Sequence, residues 1–192
     1  MILNNFKNKT VIVTRHTGFK GSWLSQWLIL LGAKVIGISN NIPSVPSHFK
    51  LINLKKNIVN KQIDVVNLKE LKKYLGKETF MMTYGDGLSN VDLKKLLRFH
   101  INSKKLVTLT AVRPPARFGD IKVIGKNVKY FKEKSKLDEG WINAGFFVME
   151  PKFLKYIKND QSFLEREPME ILTKKNNLLH LSIKNFGNVW IL

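Results

Sequence analysis

Few side chains in this sequence are spaced to do chemistry, and the first to stand out is Asp86, held between glycines in Tyr84-Gly85-Asp86-Gly87. Mg²⁺ is bound by one or two carboxylates together with substrate phosphate oxygens, and flanking glycines let a phosphate approach closely. Asp86 is therefore a candidate Mg²⁺ ligand, and the same tripeptide also fits an ordinary turn after a strand. The four histidines, His16, His48, His100 and His180, are scattered without metal-ligand spacing. With no cysteine there is neither a disulfide framework nor a thiolate zinc site, which is compatible with a reducing cytosol.

The elements that must position Asp86 are legible. Thr79 to Thr83 is an apolar run that breaks into the glycines, so it predicts a buried strand with the acid at its carboxyl end, the edge where ligands sit in open α/β sheets. An amphipathic helix is predicted over 91–101 with Asp92 in its first turn, and strands over 106–112, 118–124, 128–133, 141–149 and 178–183. Pro151 opens a short helix over 152–158, and another is expected over 163–175. Nearer the amino terminus, Thr10 to Thr14 predicts a strand, Arg15 to Gly21 a glycine turn, and Ser22 to Leu31 a helix ended by Gly32. Lys34 to Ile38 then predicts a second strand. Strand, glycine turn, helix, strand is the opening of a dinucleotide-binding unit.

The 192 residues carry a formal charge of +19, which raises nucleic-acid binding as a reading. The excess is spread along the chain, with 12 basic and 2 acidic side chains in residues 1–76 and 21 and 12 in residues 77–192. Only five of the 33 basic residues are Arg, the side chain suited to bidentate readout of phosphates and bases. Nucleic acid is disfavoured as a partner, and anionic small molecules fit the charge equally well. The longest apolar stretch, Trp23 to Leu31, is shorter than the roughly 20 residues a bilayer needs. No signal peptide is expected, no membrane partner is expected, and the expected location is cytoplasmic.

From about residue 77 the order of motifs carries a resemblance. Thr-Phe-Met-Met-Thr-Tyr-Gly-Asp-Gly at 79–87 is followed by T-L-T-A-V-R-P-P-A-R-F-G at 108–119, F-K-E-K at 131–134 and W-I-N-A-G-F-F-V at 141–148. This segment resembles the glucose-1-phosphate cytidylyltransferase family, sugar-nucleotide pyrophosphorylases that form CDP-glucose and pyrophosphate from CTP and glucose 1-phosphate. The resemblance implies that Asp86 binds Mg²⁺ and that Glu133 and Lys134 hold the sugar phosphate. It implies that Asn143 and Gly145 wall the hexose pocket, and that Arg113 and Arg117 flank the nucleotide and phosphate region. A purely structural reading stands beside these, with Gly145-Phe146-Phe147 as core and Lys134 as a solvated strand-end lysine.

The first segment resembles a different family. H-T-G-F-K-G-S-W-L-S-x-W-L at 16–28, followed by L-G-A-K-V-x-G at 31–37, is similar to the start of CDP-glucose 4,6-dehydratase, an NAD-dependent extended short-chain dehydrogenase. The resemblance implies that Thr17, Gly18, Phe19 and Lys20 line the NAD pyrophosphate and that Asp64 approaches the adenine. Arg15 stands where that family has the first glycine of its turn, so NAD binding is expected to be impaired through the backbone path or through crowding of the cofactor. The family's Tyr-x-x-x-Lys pair is matched only by Tyr130 and Lys134, which fall on a predicted strand and not on a helix, and the match is read as coincidence.

The expected fold class is α/β: a partial Rossmann βαβ unit over residues 1–76 joined to the carboxyl-terminal half of a GT-A-like nucleotidyltransferase sheet over 77–192. The cytidylyltransferase glycine-rich loop and phosphate lysine would lie upstream, where the dehydratase-like piece stands, and the second metal acid beyond residue 192. The expectation is a joined pair of half-sites from consecutive steps of one nucleotide-sugar pathway, the route to deoxysugars of surface polysaccharides, in which ligand contacts persist and turnover is impaired. A working cytidylyltransferase, an NAD-binding dehydratase-like fragment and a non-catalytic sugar-phosphate or nucleotide binder are the alternatives. The expected partners are small molecules, with homo-oligomerisation left open.

Overall fold

The computed structural model describes residues 6–85, 87–113, 120–124, 127–132, 140–183 and 189–191. By contact density the chain divides into one unit of Met1–Gly76 with Asn159–Gln161, and a second of Lys77–Lys158 with Ser162–Leu192. Each has its own sheet. The α/β class is as expected, one sheet being wholly parallel and the other mixed.

In the first unit β1 (Thr10–Thr14), α1 (Phe19–Leu30), β2 (Lys34–Ser39), α2 (His48–Leu51) and β3 (Val59–Gln62) follow in order, with a short 3-10 helix at Leu54–Lys56. The strands pair in parallel in the order β1-β2-β3, in the register Thr10 to Lys34 and Ile36 to Val59. All three carboxyl ends therefore lie along one sheet edge, where the 15–18 turn, Asn40 and Asn41, and Asp64 follow them. Val13, Leu28 and Val35 form the core between sheet and α1. α3 (Leu68–Leu75) closes the unit, its first turn capped by the Asn67 side chain accepting from Glu70 N.

The second unit is built around β9 (Ile142–Met149), which lies between β4 (Phe80–Thr83) and β6 (Val107–Val112) and runs antiparallel to both. β10 (Leu178–Ile183) adds in parallel to β6, giving the order β10-β6-β9-β4. α4 (Leu93–Ser103), a 3-10 helix at Pro151–Tyr156 and α5 (Glu167–Lys174) complete it, with Val107, Phe147, Met149, Phe153, Met169 and Leu172 as the core. Two small antiparallel pairs accompany this sheet: β5 (Gly87–Ser89) with β11 (Val189–Ile191), and β7 (Asp120–Ile124) with β8 (Asn127–Lys132).

Several expected boundaries shift, for physical reasons. Asp92 is the N-cap of α4 and not a first-turn residue, its carboxylate accepting from Lys95 N at 2.9 Å. α5 starts at Glu167 because Pro168, without an amide proton, belongs in a first turn. The segment opened by Pro151 is a 3-10 helix, and α1 begins three residues earlier than expected, at Phe19. Tyr130 lies in β8, and Lys134 is outside the described residues.

Candidate functional site

At the end of the mixed sheet where β4 runs out, β9 carries a bulge. Its register with β6 jumps from the pair Leu109 and Phe147 to the pair Ala111 and Asn143, so three residues of β9 stand against one of β6. The bulge is possible because Gly145 adopts φ +77, a conformation L side chains rarely take. Asn143 stabilises it locally, its Oδ1 accepting from Gly145 N at 2.9 Å.

Tyr84, the residue after β4, fills the space this creates. A Cβ on Gly145 would lie 2.8 Å from Tyr84 Cδ2, so the glycine makes room for this ring. Tyr84 N donates to Gly145 O at 3.2 Å, and the ring meets Phe147 edge-on at a centroid distance of 5.5 Å. Its hydroxyl accepts from Asn143 Nδ2 at 3.2 Å and donates to Glu165 Oε1 at 2.5 Å. The result is a polar relay, Asn143 to Tyr84 to Glu165, at the sheet edge that follows β4.

The Gly-Asp-Gly sequence follows Tyr84 directly, and Gly87 N donates to Tyr84 O at 3.4 Å. Asp86 itself lies outside the described residues, as do Arg117, Glu133 and Lys134. A Cβ on Gly85 would meet nothing within 4 Å among the described residues. Among the described residues, no group of three or more His, Asp or Glu could hold a metal ion by itself.

Arg113 follows the Val112 and Ile142 pair and is exposed, its guanidinium carbon 4.9 Å from the centroid of the Trp141 ring. Trp141 in turn lies 6.0 Å from the ring of His180, in the middle of β10, so the indole stands between a guanidinium and an imidazole.

In the first unit Thr17 and Gly18 end the turn into α1, and Phe19 and Lys20 are the first two residues of that helix. Arg15 adopts φ +52, so the backbone follows the path of a glycine in spite of the side chain, which is exposed. The expected obstruction of the backbone path does not occur. Gly18 N donates to Arg15 O at 3.0 Å, and a Cβ on Gly21 would come within 2.4 Å of that oxygen, which makes Gly21 the packing glycine of the turn. Gly18 caps α1 without a side-chain bond, so the helix start keeps amides for an anion. The Thr17 hydroxyl, however, is buried and committed, 2.5 Å from Asn41 O and 2.8 Å from Ser39 Oγ. Asp64 accepts from Val66 N at 3.1 Å in a local turn.

Sequence reasoning missed Tyr84 and Glu165 as members of the polar relay. Tyr84 was legible as the neighbour of Gly-Asp-Gly, whereas Glu165 reaches it from 81 residues away with no local signal. His16 was also missed. It is fully buried with its ring against Gly37, Nε2 2.6 Å from Asn60 Oδ1, and it joins the glycine turn to β3.

A parallel three-stranded sheet and a mixed sheet with a bulged antiparallel strand make an α/β fold that is shared with solved structures. In accord with that, a structure from Bacillus anthracis assigned as a glucose-1-phosphate thymidylyltransferase superposes on 92% of this chain and 87% of its own, with a TM-score of 0.51 at 11% identity. The model of the nucleotidyl transferase family matches residues 59–187, more than half of the sequence, and the chain belongs to that family. A glucose-1-phosphate cytidylyltransferase from Salmonella typhimurium is 40% identical over 113 residues, 58% of this chain and 44% of the relative. This chain thus spans less than half the length of that enzyme. A CDP-glucose 4,6-dehydratase from the same organism is 35% identical over 115 residues, 59% of this chain and 28% of the dehydratase. That alignment is too long to be confined to residues 1–76, and the family match begins at β3, before residue 77.

Proposed function

We propose that the chain binds glucose 1-phosphate at the Tyr84–Gly145 edge of the second unit, in the manner of a glucose-1-phosphate cytidylyltransferase, with impaired transfer from CTP to CDP-glucose. The observation that carries this reading is the relay of Asn143, Tyr84 and Glu165, whose tyrosine immediately precedes the Gly-Asp-Gly sequence. Hydroxyl, amide and carboxylate groups fixed in one place suit the alternating donors and acceptors of a hexose.

In this reading Glu133 and Lys134 hold the sugar phosphate, Arg113 and Arg117 flank the phosphates, and Asp86 would hold Mg²⁺. The ion supplies positive charge that neutralises phosphate oxygens. The chain's own residues orient the hexose, fix the Tyr84 hydroxyl proton toward Glu165 and narrow the approach to the turn. What favours impairment is the glycine turn of residues 15–18, where the Thr17 hydroxyl is already taken by Ser39 and Asn41 and is not free to cradle a triphosphate.

Calorimetry with glucose 1-phosphate and Mg²⁺ tests the binding, and pyrophosphate release from CTP tests turnover. Tyr84→Phe keeps the ring and removes the relay, so it is expected to weaken glucose 1-phosphate binding about tenfold with an unchanged melting temperature. Rapid pyrophosphate release lost in Asp86→Ala would replace impairment with a working transferase. No heat of binding would sink the reading altogether.

A second reading, NAD binding by a dehydratase-like fragment, is favoured by the parallel order β1-β2-β3 and by the uncapped start of α1. Equilibrium dialysis against NAD decides it.

A further inference from the structure

We propose that the outer face of α1 binds an anionic lipid surface. Phe19, Trp23, Trp27 and Leu30 fall at helical spacing on one stripe of α1 and are 73%, 53%, 59% and 74% exposed, while Ser22, Ser25 and Leu28 on the opposite face are buried. An isolated exposed apolar residue is ordinary, but a run of two tryptophans, a phenylalanine and a leucine along one helix is a patch with a partner. The patch continues past the helix: the Trp23 ring stacks on His48 at 4.2 Å, and Leu51 in the same α2 turn is 75% exposed.

Charge selects the partner. The first 63 residues hold nine Lys and Arg side chains and no carboxylate, and two of these cations, Lys20 on α1 and Lys50 on α2, are exposed on the same two helices as the apolar patch. Two copies placed ridge to ridge would bring like charges together, whereas an anionic surface is complementary. The shape agrees, because a single helix presents a convex ridge, which a headgroup layer accommodates by deformation. Tryptophan and phenylalanine are the side chains that settle at the depth of lipid headgroups. At 12 residues α1 cannot cross a bilayer, and its buried face already packs on the sheet, so the helix lies in the interface without refolding. The expectation of no membrane partner, drawn from the lack of a spanning segment, does not extend to a surface contact of this kind.

Co-sedimentation of the full chain with vesicles of phosphatidylcholine alone, and of phosphatidylcholine mixed with phosphatidylglycerol, tests the proposal. At least about tenfold more protein is expected on the anionic vesicles, with a blue shift of tryptophan emission and release at high salt. Trp27→Gln with Leu30→Gln alters two exposed side chains, so the melting temperature should hold while anionic binding falls about tenfold. Equal binding to both vesicles, or none, overturns the proposal. Binding that survives the double substitution without an emission change reduces it to lysine charge alone and also overturns it. Self-association in lipid-free solution that the same substitutions abolish, without vesicle binding, gives the face to a second copy of the chain.

Discussion

One methyl group at Gly145 would set a carbon 2.8 Å from the Tyr84 ring at a backbone angle of φ +77, so two penalties act at the same atom. Gly145→Ala is expected to cost about 1–3 kcal/mol in urea unfolding and to weaken glucose 1-phosphate binding, because Tyr84 must move. Arg15 presents the opposite case, a bulky residue holding a glycine's conformation at φ +52. A left-handed residue with a Cβ costs roughly 1–2 kcal/mol, partly offset by the freedom glycine has in the unfolded chain. Arg15→Gly should thus stabilise the protein by up to about 1 kcal/mol, and tighter NAD retention in dialysis would show that the side chain, not the backbone, had been the obstacle. The special position of Gly145 was legible as part of a family motif, but its reason was not. The resemblance assigns Gly145 to the wall of a hexose pocket, and the fold adds that the absent side chain makes room for the Tyr84 ring.

At the scale of elements, the strands that sequence reads best are those buried by their neighbours. Val107–Val112 is a continuous apolar or β-branched run, buried at five of its six positions, while Leu178–Ile183, which pairs with it in parallel at the sheet's edge, exposes His180 and Ser182 in alternation. Val59–Gln62 escaped notice because three of its four residues are polar. Its place is set by parallel pairing with β2 and by Asn60, whose side chain meets buried His16. Such a strand is specified by tertiary contact and leaves no periodic trace. Capping is more local, and its energetics can be measured by one substitution. Asp92→Ala removes the acceptor for Lys95 N and should destabilise α4 by about 1 kcal/mol, seen as a lower urea midpoint with an unchanged slope.

Across the whole molecule, the +19 charge rests mostly on lysines, with only five of the 33 basic residues arginine, the side chain best suited to reading bases. Retention on DNA is expected only at low ionic strength and should vanish by about 0.2 M salt in a filter-binding titration, since counterion release is its sole driving force. The division into two units was suggested in the sequence by a change of resemblance near residue 77, while the family match reaching back to residue 59 was not, because β3 carries no motif of its own. The central position of β9 has a further outcome during synthesis. β4 emerges from the ribosome with its sheet partner still untranslated, Phe80 awaiting Met149. At roughly 5–20 residues per second that wait lasts roughly 3–14 s. Through that interval the nascent segment carries an apolar strand with nothing to pair with, which makes it a natural client for chaperones that recognise such stretches.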